Sequence, residues 1–215
     1  MKTLIITGGF MNDKFAINFI NEKGFDKMIA GDSGMEFFYR NNLVPDMIVG
    51  DFDSAKSEIV SFFKEKNTVE VLHFQPEKDE TDTELALKTA LKDKPDEIYI
   101  LGATGSRIDH MIGNIYLLQK ALLKNISCYI VDEHNKISLI KEKKIINAKD
   151  QYGDFISLLP LGEKVTGVTL EGFKYPLDNH TLTNNNSLGV SNELVKEQGT
   201  ITLQEGIILM IDSKD

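Results

Sequence analysis

The sequence is poor in cysteine, in tryptophan and in clusters of basic residues. Its 215 residues include one cysteine, Cys128, and no tryptophan. A single cysteine forms no internal disulfide, which is typical of a reducing compartment, and Cys128 is expected to be a small buried apolar residue. Lys and Arg number 24 against 33 Asp and Glu, so the formal net charge is −9. This balance, without a basic run, argues against nucleic-acid binding.

Long apolar runs are also absent. No run approaches the ~20 residues that a membrane-spanning helix needs. The first apolar segment follows Lys2 and is too short for a signal peptide. We therefore expect a cytoplasmic protein that does not bind membranes.

Several common site motifs are missing as well. The chain contains neither a P-loop motif nor a Gly-x-Gly-x-x-Gly turn after a strand, and no Cys/His set has zinc spacing. The segment that begins at Asp51 resembles the start of an EF-hand loop, but Lys56 occupies the position where that loop requires glycine. These absences exclude the P-loop, dinucleotide, zinc and EF-hand classes.

Short apolar segments alternate with helical patterns in the first part of the chain. Strands are predicted at 4–6, 27–30, 47–49, 69–74 and 98–101, and helices at 14–22, 35–40, 55–66, 82–92 and 109–123. Gly24, Ser54 and Thr81 are the expected helix stop and two helix caps. This alternation predicts an α/β domain over residues 1–135, with a mainly parallel sheet flanked by helices.

The pattern changes after residue 135. Helical periodicity ends, and short β-rich runs separated by turn signals occur at 136–140, 155–159, 165–170, 200–203 and 207–211. This pattern predicts an all-β domain over residues 136–215, in the form of a small sandwich.

Acidic residues follow several of the predicted strands. Asp51 and Asp53 come directly after one strand, Asp32 after another, and Asp82 follows a third. The carboxyl ends of parallel strands form the edge of the sheet where α/β proteins bind ligands. Carboxylates that lie close together at this edge repel one another unless a cation lies between them. We therefore predict a Mg²⁺ site formed by Asp51, Asp53 and Asp82. Taken singly, each Asp is more often a cap or turn residue than a metal ligand, as Asp82 in the first turn of its helix illustrates.

Two glycine-containing loops are predicted at the same edge. Gly9 belongs to a glycine pair after the first strand, which either brings backbone amides close to an anion or forms a simple tight turn. Arg107 lies in a Gly-rich turn at a helix start, where its guanidinium can meet a phosphate. His110 is the one histidine beside this predicted site. The loops indicate a phosphate ligand.

Taken together, these motifs resemble the thiamine pyrophosphokinase family. The segments that carry the resemblance are Gly31-Asp32-Ser33-Gly34, Gly50-Asp51-Phe52-Asp53-Ser54, Glu77-Lys78-Asp79-x-Thr81-Asp82, Gly102-Ala103-x-Gly105-x-Arg107-x-Asp109-His110 and Gly189-Val190-Ser191-Asn192-Glu193. The resemblance covers nearly the whole chain. It implies transfer of pyrophosphate from ATP to thiamine, giving thiamine diphosphate and AMP, in a homodimer with the thiamine site near the interface.

The resemblance also implies roles for individual residues. Asp51, Asp53 and Asp82 would bind Mg²⁺ and the phosphates, and Asp32 and Asp79 would complete the acidic group. Nucleotide contacts would come from Arg107 and Asp109, and thiamine contacts from Ser191 and Asn192. The sequence departs from the family pattern at two points that concern thiamine recognition. Lys78, which the resemblance assigns to substrate binding, stands where other members carry Gln. The chain also has no Trp that could stack on thiamine.

The sequence leaves two other functions open. Another Mg²⁺-dependent phosphotransferase or hydrolase could use the same acidic edge and would release ADP or phosphate. A non-enzymatic sensor of thiamine or nucleotide would bind without turnover. Within the predicted mechanism, Asp82 and Asp51 are both candidates for orienting or deprotonating the thiamine hydroxyl.

Overall fold

The computed structural model describes residues 1–53, 55–75 and 79–215. Ser54 and Lys78 lie outside the described residues, and so do the cap predicted at Ser54 and the substrate contact predicted at Lys78. The chain divides into two compact units, Met1–Glu133 and His134–Asp215.

In its described residues, the first unit is an α/β domain with six parallel strands. The strands are β1 (Lys2–Ile6), β2 (Lys27–Gly31), β3 (Met47–Gly50), β4 (Glu70–His73), β5 (Glu97–Leu101) and β6 (Ser127–Val131). They lie in the order β4-β3-β2-β1-β5-β6, and every neighbouring pair is parallel. The central strands are continuous apolar runs because helices cover both faces of a parallel sheet, and Leu4, Ile5 and Ile6 are fully buried. The predicted mainly parallel sheet is confirmed.

Five α-helices connect these strands in the part of the unit that the structure describes. They are α1 (Asp13–Lys23), α2 (Met35–Arg40), α3 (Ser57–Lys64), α4 (Asp82–Ala90) and α5 (Ile108–Leu122). Gly24 ends α1 with φ +61°, and the Thr81 hydroxyl accepts a hydrogen bond from the Glu84 amide at the start of α4, so both of these sequence predictions are confirmed. Helix α3 begins later than predicted, at Ser57 rather than at residue 55.

The register of the sheet aligns the carboxyl ends of the central strands. Ile6 pairs with Ala30 on one side and with Leu101 on the other, and Gly31 pairs with Val49. The residues that follow β1, β2, β3 and β5 therefore leave the sheet at the same edge. The chain proceeds from β1 to β2 in one direction along the sheet and from β5 to β6 in the other, so this edge contains a topological switch point between β1 and β5.

The second unit consists of seven antiparallel strands. They are β7 (Asn135–Ile140), β8 (Lys144–Asn147), β9 (Phe155–Pro160), β10 (Lys164–Glu171), β11 (Leu177–Thr183), β12 (Gln198–Thr202) and β13 (Ile208–Ser213). Strands β7, β13 and β9 pair side by side, and β11, β10, β12 and β8 form a four-stranded sheet. A common core joins residues of both sets, including Ile156, Val168 and Ile201. The predicted all-β sandwich is confirmed.

Two strands of this unit were not predicted from the sequence. Both β8 and β11 lie at edges of the four-stranded sheet. In β11, Leu182 is buried while most of the strand is exposed, and its pairing with β10 includes register shifts. An exposed edge strand carries little hydrophobic alternation, so the periodicity of the sequence does not identify it.

Candidate active site

Three carboxylates meet at the carboxyl edge of the parallel sheet. Asp32 follows β2, Asp51 follows β3, and Asp82 opens α4. One carboxylate oxygen from each lies within 4.8 Å of the others. Asp32 is buried, and the other two are half-buried. The sequence reasoning placed Asp32 in the outer acidic group, whereas the structure brings it into direct proximity with Asp51 and Asp82.

Backbone geometry brings Asp32 and Asp51 together. Asp32 has φ +41°, in the left-handed region that costs a non-glycine residue energy and is concentrated at functional sites. Gly50 allows the close approach of β3, since a Cβ at this position would lie 3.1 Å from Asp32 Cβ and 3.2 Å from Asp32 Cα. A larger residue at position 50 would push Asp51 away from Asp32.

Asp53 is separated from this group by the conformation of Phe52. Phe52 has φ +63° and is buried, with its ring 5.7 Å from the ring of His73. The chain therefore turns between the two carboxylates, and Asp53 is exposed. Its amide donates a hydrogen bond of 3.1 Å to Asp51 Oδ1. Among the described residues, the group of carboxylates close enough to share a metal does not include Asp53, so its role as a ligand stays a prediction.

A cleft of about 410 Å³ lies beside the three carboxylates. Its lining combines small residues with polar side chains from the loops after β1, β2 and β5 and from the first turns of α4 and α5. Of the residues predicted from sequence, those that line it are Gly9, Asp32, Asp82, Arg107 and His110. The cleft lies at the switch point of the sheet, which is the usual ligand position in α/β proteins.

Glycines allow the two loops that flank the cleft to pack closely. A Cβ on Gly9 would lie 2.1 Å from the carbonyl oxygen of Gly102, and a Cβ on Gly102 would lie 2.5 Å from the carbonyl oxygen of Thr7. Gly102 also has φ +75°. The glycines are therefore required for the backbone path at this site, in agreement with close approach of main-chain atoms to a ligand.

The guanidinium of Arg107 is held by Asp109. Nε donates to Asp109 Oδ1 at 3.2 Å, and Nη2 donates to Asp109 Oδ2 at 2.6 Å. Hydrogen bonding to Arg107 lowers the pKa of the Asp109 carboxyl to about 2, so Asp109 is charged at neutral pH. A guanidinium has five N–H donors, and this pair uses two of them. The remaining donors of Arg107 can meet a phosphate while Asp109 fixes the orientation of the side chain.

Asp79 is exposed and does not line the cleft. Its neighbour Glu80 pairs with Lys88 of α4 at 2.7 Å, and Lys88 also lies 3.1 Å from Glu84. The Glu80–Lys88 pair attaches the segment before α4 to the helix that carries Asp82, and the Glu84–Lys88 pair lies within that helix. The role of Asp79 in completing the acidic group stays a prediction.

Ser191 and Asn192, predicted to contact thiamine, lie in the second unit. Asn192 is buried, and its side-chain oxygen accepts hydrogen bonds from the amides of Tyr175 and Glu193 at 3.0 and 2.9 Å. Its side-chain nitrogen donates to the carbonyl of Tyr175 at 2.8 Å. The amide group of Asn192 is therefore used to hold two loops together. Ser191 is exposed with φ +55°, and its amide donates to Ser157 Oγ at 3.0 Å.

Sequence reasoning missed several residues of these sites. Asn114 lines the cleft and donates from Nδ2 to the carbonyl of Ala103 at 2.9 Å, which attaches α5 to the loop after β5. The signal was available, because the polar residues Arg107, His110 and Asn114 recur at helical spacing on an otherwise apolar segment. Phe10 also lines the cleft, but one aromatic residue after a glycine pair carries no recognisable pattern.

Comparisons with known proteins agree with this geometry. Residues 21–130 match the family model described as thiamin pyrophosphokinase, catalytic domain, and residues 142–208 match that described as thiamin pyrophosphokinase, vitamin B1 binding domain. The curated thiamine pyrophosphokinase of Bacillus subtilis is 38% identical over 192 residues, which cover 87% of each chain. The chain belongs to the thiamine pyrophosphokinase family. It is therefore an enzyme of the kinase class with a role in thiamine metabolism.

Solved structures of the family share the whole fold. The crystal structure of thiamine pyrophosphokinase from Bacillus subtilis superposes with a TM-score of 0.88 at 33% identity and covers 100% of both chains. That of Geobacillus thermodenitrificans gives a TM-score of 0.84 at 31% identity, covering 100% of this chain and 98% of the other. Among the described residues of this thiamine pyrophosphokinase family member, no helix is both long enough and apolar enough to cross a membrane.

Proposed function

We propose that the protein transfers the pyrophosphoryl group of ATP to the hydroxyethyl oxygen of thiamine, forming thiamine diphosphate and AMP. The observation that carries this proposal is the meeting of Asp32, Asp51 and Asp82 beside a cleft lined by glycine loops and Arg107. Phosphoryl transfer depends mainly on positioning and on neutralising phosphate charge, and this cleft offers groups for both tasks. Membership in the thiamine pyrophosphokinase family supports the choice of acceptor.

We propose Mg²⁺ as the metal, bound by Asp32, Asp51 and Asp82, with Asp53 as a further predicted ligand. Carboxylate oxygens are the ligands that Mg²⁺ prefers. One oxygen from each of the three side chains lies within 4.8 Å of the others, so the three carboxylates are close enough to share one ion. When bound, Mg²⁺ would neutralise the phosphate oxygens of ATP.

Different groups at the cleft have separate roles in this proposal. The backbone amides of Gly9 and of the loop after β5 would hold the phosphates, and the free donors of Arg107 would bind their oxygens. The thiamine oxygen would attack the β-phosphorus while AMP leaves. Asp82, which lines the cleft, and Asp51 remain the candidates for orienting or deprotonating the thiamine hydroxyl.

A product assay tests the reaction. Purified protein is mixed with Mg²⁺, ATP and thiamine, and the nucleotides and thiamine species are separated. Equal amounts of AMP and thiamine diphosphate are expected, with no product when Mg²⁺ is removed by a chelator. Formation of ADP or free phosphate would support a different phosphotransferase or hydrolase, and binding of thiamine without turnover would support a sensor.

We propose that Tyr175 stacks on thiamine, since the chain has no tryptophan. Its side chain is 58% exposed, and both backbone polar groups of the residue are fixed by the buried Asn192. Lys174 lies with its Nζ 5.6 Å from the Tyr175 ring and is paired with Glu193 at 2.6 Å. An exposed aromatic ring on a backbone held by Asn192, the residue after Ser191, suits a flat cationic ligand.

A Tyr175→Ala variant is expected to raise the KM for thiamine by about tenfold, because ring stacking and its buried area are lost. The KM for ATP should stay at the wild-type value. Tyr175→Phe, which keeps the ring, serves as the matched control and should bind thiamine normally. Steady-state kinetics with each substrate varied in turn provide the measurement, and an unchanged thiamine KM in Tyr175→Ala would refute the stacking role.

We propose that the protein is a homodimer. Helix α5 supports this, because Ile108, Ile112 and Tyr116 recur at four-residue spacing and are 68%, 42% and 55% exposed. An apolar stripe on a helix surface is typical of a protein contact. Light scattering should give twice the chain mass of 24.2 kDa, and a monomer at micromolar concentration would contradict the proposal.

We also propose a cytoplasmic location. Its support is the single cysteine of the chain, Cys128, which is buried and whose thiol pKa is raised by burial to about 12. A buried thiol with a raised pKa is unreactive and needs no oxidising compartment. Cell fractionation with detection of the native protein would test the location.

A further inference from the structure

Phe10 is the most exposed large apolar side chain among the described residues, with 82% of its surface accessible. It follows the glycine pair after β1 and lines the cleft. Apart from Phe10 and Ala103, the residues that line the cleft in the described part of the chain are polar or are glycines. Phe10 therefore provides the one large apolar surface at a site otherwise suited to phosphates and metal.

Backbone packing fixes the position of Phe10 at the switch point. A Cβ placed on Gly105 would lie 3.7 Å from the Phe10 amide nitrogen and 3.4 Å from Gly9 Cα. The loop that carries Phe10 thus packs directly on the loop that leads to Arg107. Within the described residues, no aromatic or cation–ring contact involves the Phe10 ring, so both of its faces are accessible to a ligand.

From this geometry we infer that Phe10 is a specificity residue that stacks on the purine base of the nucleotide donor. The inference rests on the proposed function, which supplies ATP as the ligand of this cleft. A nucleotide whose phosphates lie on the glycine loops and beside Arg107 extends its base away from the carboxylates, and an aromatic face is the usual partner for a base. The reaction chemistry would remain with the carboxylates, and Phe10 would act on affinity for the donor.

The base is assigned to Phe10 because of the residues that line the same cleft. The match to a vitamin B1 binding domain covers residues 142–208, which supports thiamine contacts from the second unit. Phe10 instead shares its cleft with Gly9, Arg107 and Asp82, which suit phosphate and metal. The ring that accompanies those phosphates in ATP is adenine.

Kinetics on Phe10→Ala test this inference, with Phe10→Tyr as the control that keeps a ring. Loss of stacking should raise the KM for ATP by about 10- to 100-fold in Phe10→Ala and leave kcat at saturating ATP and the KM for thiamine unchanged. Inhibition by AMP should weaken by a similar factor. Inhibition by inorganic tripolyphosphate, which carries phosphates but no base, should stay the same in all three proteins.

Other outcomes would overturn the inference. A rise in the KM for thiamine alone would assign the ring to thiamine, and a halved mass in light scattering would assign Phe10 to a contact with a second copy. An equal loss of ATP and tripolyphosphate binding would mean that Phe10 only shapes the loop. If the wild-type protein forms no thiamine diphosphate, the proposed function fails, and calorimetric titration of ATP with Mg²⁺ into wild type and Phe10→Ala still measures whether the ring binds the base.

Discussion

An Asp51→Asn variant is expected to lose turnover by about 10²- to 10³-fold or more. Asp51 contributes one of the three carboxylates whose oxygens lie within 4.8 Å of one another, and an amide in its place removes a charged metal ligand while keeping the shape of the side chain. The rate of AMP and thiamine diphosphate formation at saturating Mg²⁺ is the measurement. Wild-type turnover in Asp51→Asn would refute the metal assignment.

Stability provides a readout for the same variant that does not depend on activity. Three carboxylates that share a small volume repel one another when no cation is present. Asp51→Asn should therefore melt at a higher temperature than wild type in a chelator, and Mg²⁺ should stabilise the wild type but not the variant. The opposite order of melting temperatures in the chelator would show that Asp51 is stabilised by other contacts.

Asp53→Asn is the informative comparison for Asp51→Asn. The two residues are separated only by Phe52, and Asp53 is exposed, outside the group of three carboxylates. Retained activity in Asp53→Asn would show that Asp32, Asp51 and Asp82 suffice for metal binding. Loss of activity with an unchanged fold would show that Asp53 joins them when the substrates are bound.

A Gly9→Ala variant is expected to lose both stability and catalytic efficiency. The added Cβ would lie 2.1 Å from the Gly102 carbonyl oxygen and 3.1 Å from its carbon, and these are backbone atoms that cannot rotate away. The two loops must separate, which we expect to lower the free energy of unfolding by about 1–3 kcal/mol. A displacement of about 1 Å at the phosphate loops would lower kcat/KM by about 100-fold.

Gly113→Ala is the matched control for this substitution. Gly113 lies inside α5, and a Cβ there would meet no atom within 4 Å. The same chemical change should therefore stabilise the protein by up to about 1 kcal/mol, since alanine is the better helix former. Urea unfolding of both variants, together with kinetics, gives the comparison. Equal stability of Gly9→Ala and wild type would mean that the loops tolerate separation.

The α/β fold of the first unit could be predicted because its strands are buried on both faces. Such strands are short continuous apolar runs between glycine and proline signals, and the helices between them show their own period and caps, as Thr81 illustrates. The second unit was predicted less completely. Its edge strand β11 is largely exposed and its edge strand β8 has only four residues, so neither shows a clear hydrophobic alternation, and their pairing with central strands is decided by tertiary contacts.

At the site, too, the sequence predicted some features, and tertiary contacts decided others. A pair of carboxylates after a strand predicts metal binding, but sequence proximity suggests Asp51 and Asp53 as the pair. In the structure, Phe52 adopts φ +63° and is buried, so the neighbour of Asp51 in space is Asp32, from the adjacent strand. The local sequence does not predict a left-handed conformation at a phenylalanine, because this conformation costs energy and persists only where the surrounding structure holds it.

The sequence by itself determined the order of the elements, the edge at which the acidic and glycine loops gather, and the family to which these motifs belong. These properties follow from local patterns, namely burial periodicity, capping residues and the spacing of charged side chains. Tertiary structure alone decided which carboxylates share a volume, that Asn192 holds Tyr175, and that Phe10 faces the cleft. The physical reason is that these relations join residues far apart in the chain or depend on φ angles that only packing can impose.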